Sequence, residues 1–311
     1  MKKTVEKVQI SIGGVILGIT AMGNLFHDFF PHSREILGSV ALILILLILL
    51  KLFYYPKYFK QDLDNPVLAS IIATFSMTLM LIASYLKPYF GYELSIFLWI
   101  FAIMLHLFLL INYIYKFVIK FKLENFSAGT FVVFAGVQMI AITAPVFHQE
   151  FIGSIAFYFS FVSVILVFLV VCYRYIKTTI NSPLKPVIGV YAAPFSLCLV
   201  GYLSSVRPNN LFLVIGMYIL TKILYVMVLV KFVEFRNLPF YPTYAAYTFP
   251  IVINTIATLQ TYEYLTSLGF DVTFLFYLLQ FEIIIAVVLV LYVLYYYLIS
   301  IFEIQRKELN F

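Results

Sequence analysis

Charge is what this sequence has least of. Only 11% of its 311 residues are Asp, Glu, Lys or Arg, against the roughly 25% usual in a soluble domain, while 64% are hydrophobic and the mean hydropathy is +1.03. A water-soluble globule of this length has no interior large enough for that apolar surface, which excludes a cytosolic enzyme, a disordered chain and a secreted module. Cysteine is nearly absent too. Cys172 and Cys198 are the only two, too few for a disulfide framework or a Cys-rich metal site. Catalytic signatures are missing: there is no His-Glu-x-x-His, no GxxxxGK[ST] phosphate loop, no GxSxG elbow and no paired-Cys motif. Neither cofactor nor metal is expected. The four histidines are scattered; His27, His32 and His148 sit at span ends, and His106 reads as a packing residue inside a helix. What remains is a polytopic membrane protein.

A helix needs about 20 apolar residues to cross the hydrocarbon core. Ten candidate spans follow: about 9–27, 34–56, 66–86, 93–118, 128–147, 151–176, 184–205, 211–232, 242–264 and 272–301. Turn-like or charged breaks separate them, such as Asn181-Ser182-Pro183 and Arg207-Pro208-Asn209-Asn210. No spacer is long enough for a second domain, so residues 1–311 read as one transmembrane domain. The glycines of the first run suit a packed helix rather than a signal peptide.

Lys and Arg alternate with the breaks. Sixteen fall on the side of the two termini and three, Arg34, Lys87 and Arg207, on the other. By the positive-inside rule both termini are expected in the cytoplasm, with the chain in the plasma (inner) membrane. The basic balance then reflects insertion, and with no basic, aromatic-interleaved domain no nucleic-acid partner is expected.

The odd spans are rich in Gly, Ala, Ser, Thr and Pro; the even ones are dominated by Leu, Ile, Val, Phe and Tyr. Odd spans begin near residues 9, 65, 127, 184 and 242, a spacing of 56 to 62 residues, which reads as a five-fold repeat of a helical hairpin. The natural packing is an all-α ring of five odd, inner helices inside five even, outer ones. Small residues on the inner helices either leave a central passage or merely permit tight packing; residue chemistry alone leaves both readings open. Two ionisable residues fall within outer spans. Lys222 and Glu282 each lie 11 residues into spans 8 and 10, at about 16 Å depth. Equal depth and opposite sign suggest an intramembrane ion pair; the alternative makes Glu282 a proton-coupling carboxylate. The inner spans carry no charge at mid-depth, which favours weak permeation over tight substrate binding.

The stretches NPVLASIIA (65–73), GVYAAPFSLCLVGYL (189–203), GVILGITAMG (14–23) and Thr248-Phe249-Pro250, in this order and spacing, resemble the tellurite-resistance/dicarboxylate transporter family. It includes bacterial TehA, the slow anion channel of plant guard cells, yeast malate permease and fungal sulfite exporters. The resemblance covers about residues 9–300. It implies a homotrimer embedded in lipid, one pore per protomer, inner helices kinked at Gly or Pro, and a phenylalanine gate at mid-membrane, here Phe249. Gly14, Gly18, Thr74, Gly136, Pro194 and Ala245 are the pore-lining candidates. Relatives often carry a proline in the fifth span; here FVVFAG (131–136) offers only Gly136. Continuous helical spacing sets Ala245, Ala246, Val252, Ile253 and Ile256 on the face of Phe249, and turns Asn254 away. The expected function is a passive channel for small anions. The alternatives are a proton-coupled carrier of dicarboxylate, sulfite or tellurite-type oxyanions and, against the missing motifs, an intramembrane enzyme.

Overall fold

The computed structural model describes residues 2–309, with side chains from 5 to 301. The described chain is all-helical. Its α-helices are α1 (Lys2–Lys7), α2 (Gly13–Leu25), α3 (Ser33–Tyr54), α4 (Pro56–Leu63), α5 (Pro66–Tyr113), α6 (Thr130–Ala135), α7 (Gln138–Thr143), α8 (Glu150–Lys177), α9 (Pro194–Ser205), α10 (Leu211–Glu234), α11 (Phe249–Ser267) and α12 (Thr273–Leu309). Two longer 3-10 stretches, Ser182–Ala192 and Pro242–Tyr247, lead into α9 and α11.

Among the described residues, seven helical stretches are long and apolar enough to cross a membrane, where the sequence reading has ten spans. The difference has three physical sources. Pro66–Val118 is one stretch of 53 residues, about 80 Å if straight and more than twice a hydrocarbon core. It is interrupted at Gly91, whose φ of +76° falls in the left-handed region that favours glycine. Ser76 Oγ lies 2.8 Å from His106 Nδ1, which in a straight helix would be about 45 Å apart, so the chain folds back there. Ile10–Leu25 is apolar but short. In α11, Asn254, Thr255, Thr258, Gln260, Thr261 and Glu263 dilute an otherwise apolar helix.

Burial divides the elements into two kinds. The 182–205 stretch is buried along nearly its whole length, whereas α8, α10 and α12 hide about a third of their apolar cores. Phe151, Ile176, Phe212 and Phe274 stand out from the protein, as side chains do where lipid is the solvent. The buried elements close a cycle: α2 packs on the first half of α5 and on α11, α5 on α6 and α7, α7 on α9, and α9 on α11. Small residues make this closeness possible. The buried elements are also the broken ones. The fifth segment breaks at Gly136 between α6 and α7, where an added Cβ would lie 2.6 Å from His106 Cε1 and 2.9 Å from Met77 Sδ. The seventh changes from 3-10 to α at Ala193-Pro194, and the ninth at Thr248, whose φ and ψ are −99° and −91°.

Candidate functional site

The breaks meet at the bundle axis, where two cavities lie end to end. The first, about 50 Å³, opens toward the 3-10 stretches and takes Gly14 and Leu17 from α2, Thr74 and Met77 from α5, Val132 and Ala135 from α6, Ala193 and Leu197 at the start of α9, and Ala245, Ala246 and Phe249 around the start of α11. The second, about 360 Å³, continues with Ala21, Leu81, Met139, Val200 and Ile253 from the same five segments. The progression is i, i+3, i+7 or close to it along each: Gly14, Leu17, Ala21; Thr74, Met77, Leu81; Val132, Ala135, Met139. That is one helical face turned to a common axis. Among the described residues Phe249 alone lines both cavities, and it is 5% exposed. Phe249 stands where the two cavities meet.

The backbone around Phe249 is held from the side. Pro250 has no N–H and stands in the first turn of α11, where none is needed. Thr248 Oγ1 lies 2.8 Å from Gly14 O and 2.6 Å from Ala245 O, giving a hydroxyl donor at the break. Gly18 faces the same break: a Cβ there would be 3.0 Å from Phe249 N and 3.1 Å from Thr248 Cβ.

The six lining candidates therefore divide. Gly14, Thr74 and Ala245 line the smaller cavity. Gly18, Gly136 and Pro194 line neither. Gly18 follows Gly14 by four residues and is turned onto Thr248 and Phe249, leaving the axis to Leu17 and Ala21. Gly136 is the α6–α7 break, packed on His106 and Met77, with Ala135 and Met139 on the axis. Pro194 starts α9, and its neighbours Ala193 and Leu197 face the cavity. The continuous stripe expected around Phe249 is corrected as well. Because the helix changes type at Thr248, Ala245 and Ala246 face one cavity, Ile253 and Ile256 the other, and Val252 neither. The i+3 and i+7 partners of Gly14 and Thr74, namely Leu17, Ala21, Met77 and Leu81, are lining residues that helical spacing alone points to.

Lys222 and Glu282 sit behind α11, away from both cavities. Lys222 Nζ is 2.6 Å from Glu282 Oε1, 2.5 Å from Thr258 Oγ1 and 3.2 Å from Asn254 Oδ1. Thr258 Oγ1 is 2.5 Å from Glu282 Oε2. The rings of Tyr218 and Tyr225 lie 5.1 Å and 5.3 Å from the ammonium. Two charges from α10 and α12 thus clasp two polar side chains of the helix that begins with Phe249. His106, fully buried, is satisfied by Ser76 Oγ on Nδ1 and Val133 O, 3.0 Å from Nε2.

Among the described residues no charged side chain lines the smaller cavity, whereas Asp28, Arg34, Lys87 and Glu263 line the larger. An adjoining cavity of about 450 Å³ shares Ile142, Gln260 and Glu263 with the larger one and includes Arg207. All three basic residues of the sparsely basic side thus converge on one mouth, a placement their count alone did not disclose. Arg34 Nε donates to Asn24 Oδ1 at 2.8 Å, Lys87 Nζ to Val146 O, and Arg207 to Leu203 O and Val206 O at 2.6 Å and 2.8 Å. Their protein partners are neutral, so their charge stays available to the mouth.

A family model described as SLAC1, voltage-dependent anion channel, matches residues 7–298, nearly the whole chain. No curated protein matches it significantly in sequence.

Proposed function

The chain belongs to the voltage-dependent anion channel (SLAC1) family, and from that premise we propose that it conducts small anions passively along the bundle axis, with the Phe249 ring as the closed gate. The observation that carries this reading is that, among the described residues, Phe249 alone is shared by the two axial cavities. An apolar partition stops ions because they must shed water with nothing to replace it. The same lining without its ring is a continuous passage. Among the described residues the smaller cavity offers an anion no fixed charge. It offers the first turns of α9 and α11, whose positive dipole ends begin beside the partition, so an anion is favoured over a cation without being held.

In this reading the chain crosses the membrane ten times as five hairpins. An inner ring is formed by α2, the first half of α5, α6 with α7, the 182–205 segment and the 242–267 segment. The closed packing cycle of these five supports it. Both termini are cytoplasmic in the plasma membrane, supported by the sixteen-to-three distribution of Lys and Arg. A reporter fused after Phe311 is expected to be active only on the cytoplasmic side, and activity on the other side would refute the count of crossings. The protomers associate as a homotrimer with separate pores, which native mass measurement in detergent checks.

A second reading, a proton-coupled carrier of dicarboxylate or sulfite-type oxyanions, is favoured by one feature: Glu282 bonds to Thr258 on the gate-bearing helix. Planar-bilayer recording with anion substitution separates the two. A channel's reversal potential follows the anion gradient and ignores a pH gradient at fixed anion; a coupled carrier's shifts with pH.

A further inference from the structure

The larger cavity holds two cations and two carboxylates that do not meet. Arg34 and Lys87 are half-buried, and Asp28 and Glu263 are exposed at the rim. Among the described residues no ion pair joins any of the four. The reason is visible in their anchors: the guanidinium is tied to Asn24 Oδ1 and packed over the Tyr85 ring at 5.7 Å, and the ammonium is tied to Val146 O and packed over Tyr92 at 5.7 Å. Each cation is fixed by neutral groups. Gln260, on the helix that carries Glu263, adds a buried Oε1 without a hydrogen-bond partner. The cavity therefore gathers cationic donors and acceptors that are not paired with one another around about 360 Å³, far more than the about 30 Å³ one water occupies in the liquid.

A simple anion placed here satisfies Arg34 and Lys87 and is repelled by Asp28 and Glu263. A simple cation meets the reverse. A molecule with a carboxylate at one end and an ammonium at the other satisfies both kinds of group and carries no net charge into the mouth. We infer that this cavity is a binding site for a small zwitterion of the amino-acid type, its carboxylate on Arg34 and Lys87, its ammonium on Asp28, Glu263 and the Gln260 carbonyl. A ligand so placed sits directly above Phe249 on the axis. The inference goes beyond anion conduction and does not depend on it, since its test reads binding and not current.

The test uses the full-length protein in lipid nanodiscs and three probes, glycine, acetate and methylammonium, each titrated by ligand-observed saturation-transfer NMR at one pH and ionic strength. Glycine is expected to bind at least tenfold more tightly than either single-charge half. Glu263→Gln and Lys87→Met are each expected to weaken glycine at least fivefold, with particle size unchanged. Should Lys87→Met not assemble, Asp28→Asn combined with Glu263→Gln tests the acceptors. Acetate binding as tightly as glycine would mean the mouth reads negative charge alone and would overturn the inference. So would methylammonium binding as tightly as glycine, no binding of any probe, or glycine affinity untouched by changes to both kinds of group.

Discussion

The two sides of Phe249 are built from the same five segments yet differ in every property that matters to an ion. Toward the 3-10 stretches the space is about 50 Å³ and apolar, with no charge among the described residues; toward the opposite face it is about 360 Å³ and carries four charged side chains. The contrast follows from the repeat. The inner segments give small residues to the axis near their breaks, where backbones approach closely, while the charge of the larger cavity comes from segment ends: Asp28 after α2, Lys87 before the Gly91 break, Glu263 late in α11, and Arg34 at the start of the outer helix α3. Charge at the wide mouth is screened and changes the local ion concentration. The same charge in the narrow section would act nearly undiluted.

The largest effect is expected at the two charges set behind α11, outside both cavities. Lys222 and Glu282 neutralise each other behind α11, and removing one partner strands the other in a low-dielectric site. Glu282→Leu alone is expected to destabilise the fold by about 3–5 kcal/mol, and adding Lys222→Met to recover most of it; thermal unfolding in detergent of both single changes and the double checks this. Folding intact in Glu282→Leu together with loss of pH-dependent transport would instead favour the carrier reading. Next in size, Thr74→Asp sets a carboxylate in the charge-free cavity. At about 5 Å and an effective dielectric of ~20 it repels a passing anion by about 3 kcal/mol, so unitary anion conductance should fall roughly 100-fold.

Two smaller effects sharpen the comparison. Gly18→Val puts branched carbon against Phe249 N and Thr248 Cβ, an overpacking of about 1–3 kcal/mol. It should alter gating without touching either cavity wall, seen as a changed open probability at unchanged unitary conductance. Glu263→Gln removes a rim carboxylate in a wet mouth. At ~8 Å in water that is about 0.5 kcal/mol, so conductance should rise about twofold, and the gain should vanish in high salt.

Much of this was legible in the residues, for a physical reason: composition decides which helices can touch. Small residues in every second apolar run marked the segments that are buried here, and the lipid-facing rows of Leu, Ile and Phe marked the exposed ones. Span limits such as 34–56 and 151–176 fall within a few residues of α3 and α8, because apolar length and turn chemistry are local properties. The breaks were only partly legible. Gly136 marks one, but the 3-10 geometry before Pro194 and Pro250 depends on neighbours, such as Gly14 O, that sequence spacing does not bring near Thr248. That is why Gly18 and Pro194 looked like lining and Leu17 and Leu197 did not. Equal depth of Lys222 and Glu282 could be counted along two helices; the insertion of Thr258 and Asn254 between them could not, since it depends on the rotation of a third. The gathering of Arg34, Lys87 and Arg207 was hidden for the same reason, as a charge count records a side of the membrane and not a position around an axis.

The central claim is that the Phe249 ring alone separates the two cavities, and Phe249→Ala tests it most directly. Protein reconstituted in planar bilayers, matched to the parent by size-exclusion profile and thermal stability, should pass chloride or nitrate at unitary conductance at least tenfold above the parent, with Phe249→Leu between them. A well-folded Phe249→Ala protein no more conductive than the parent would contradict the account and move the occlusion to another part of the inner ring.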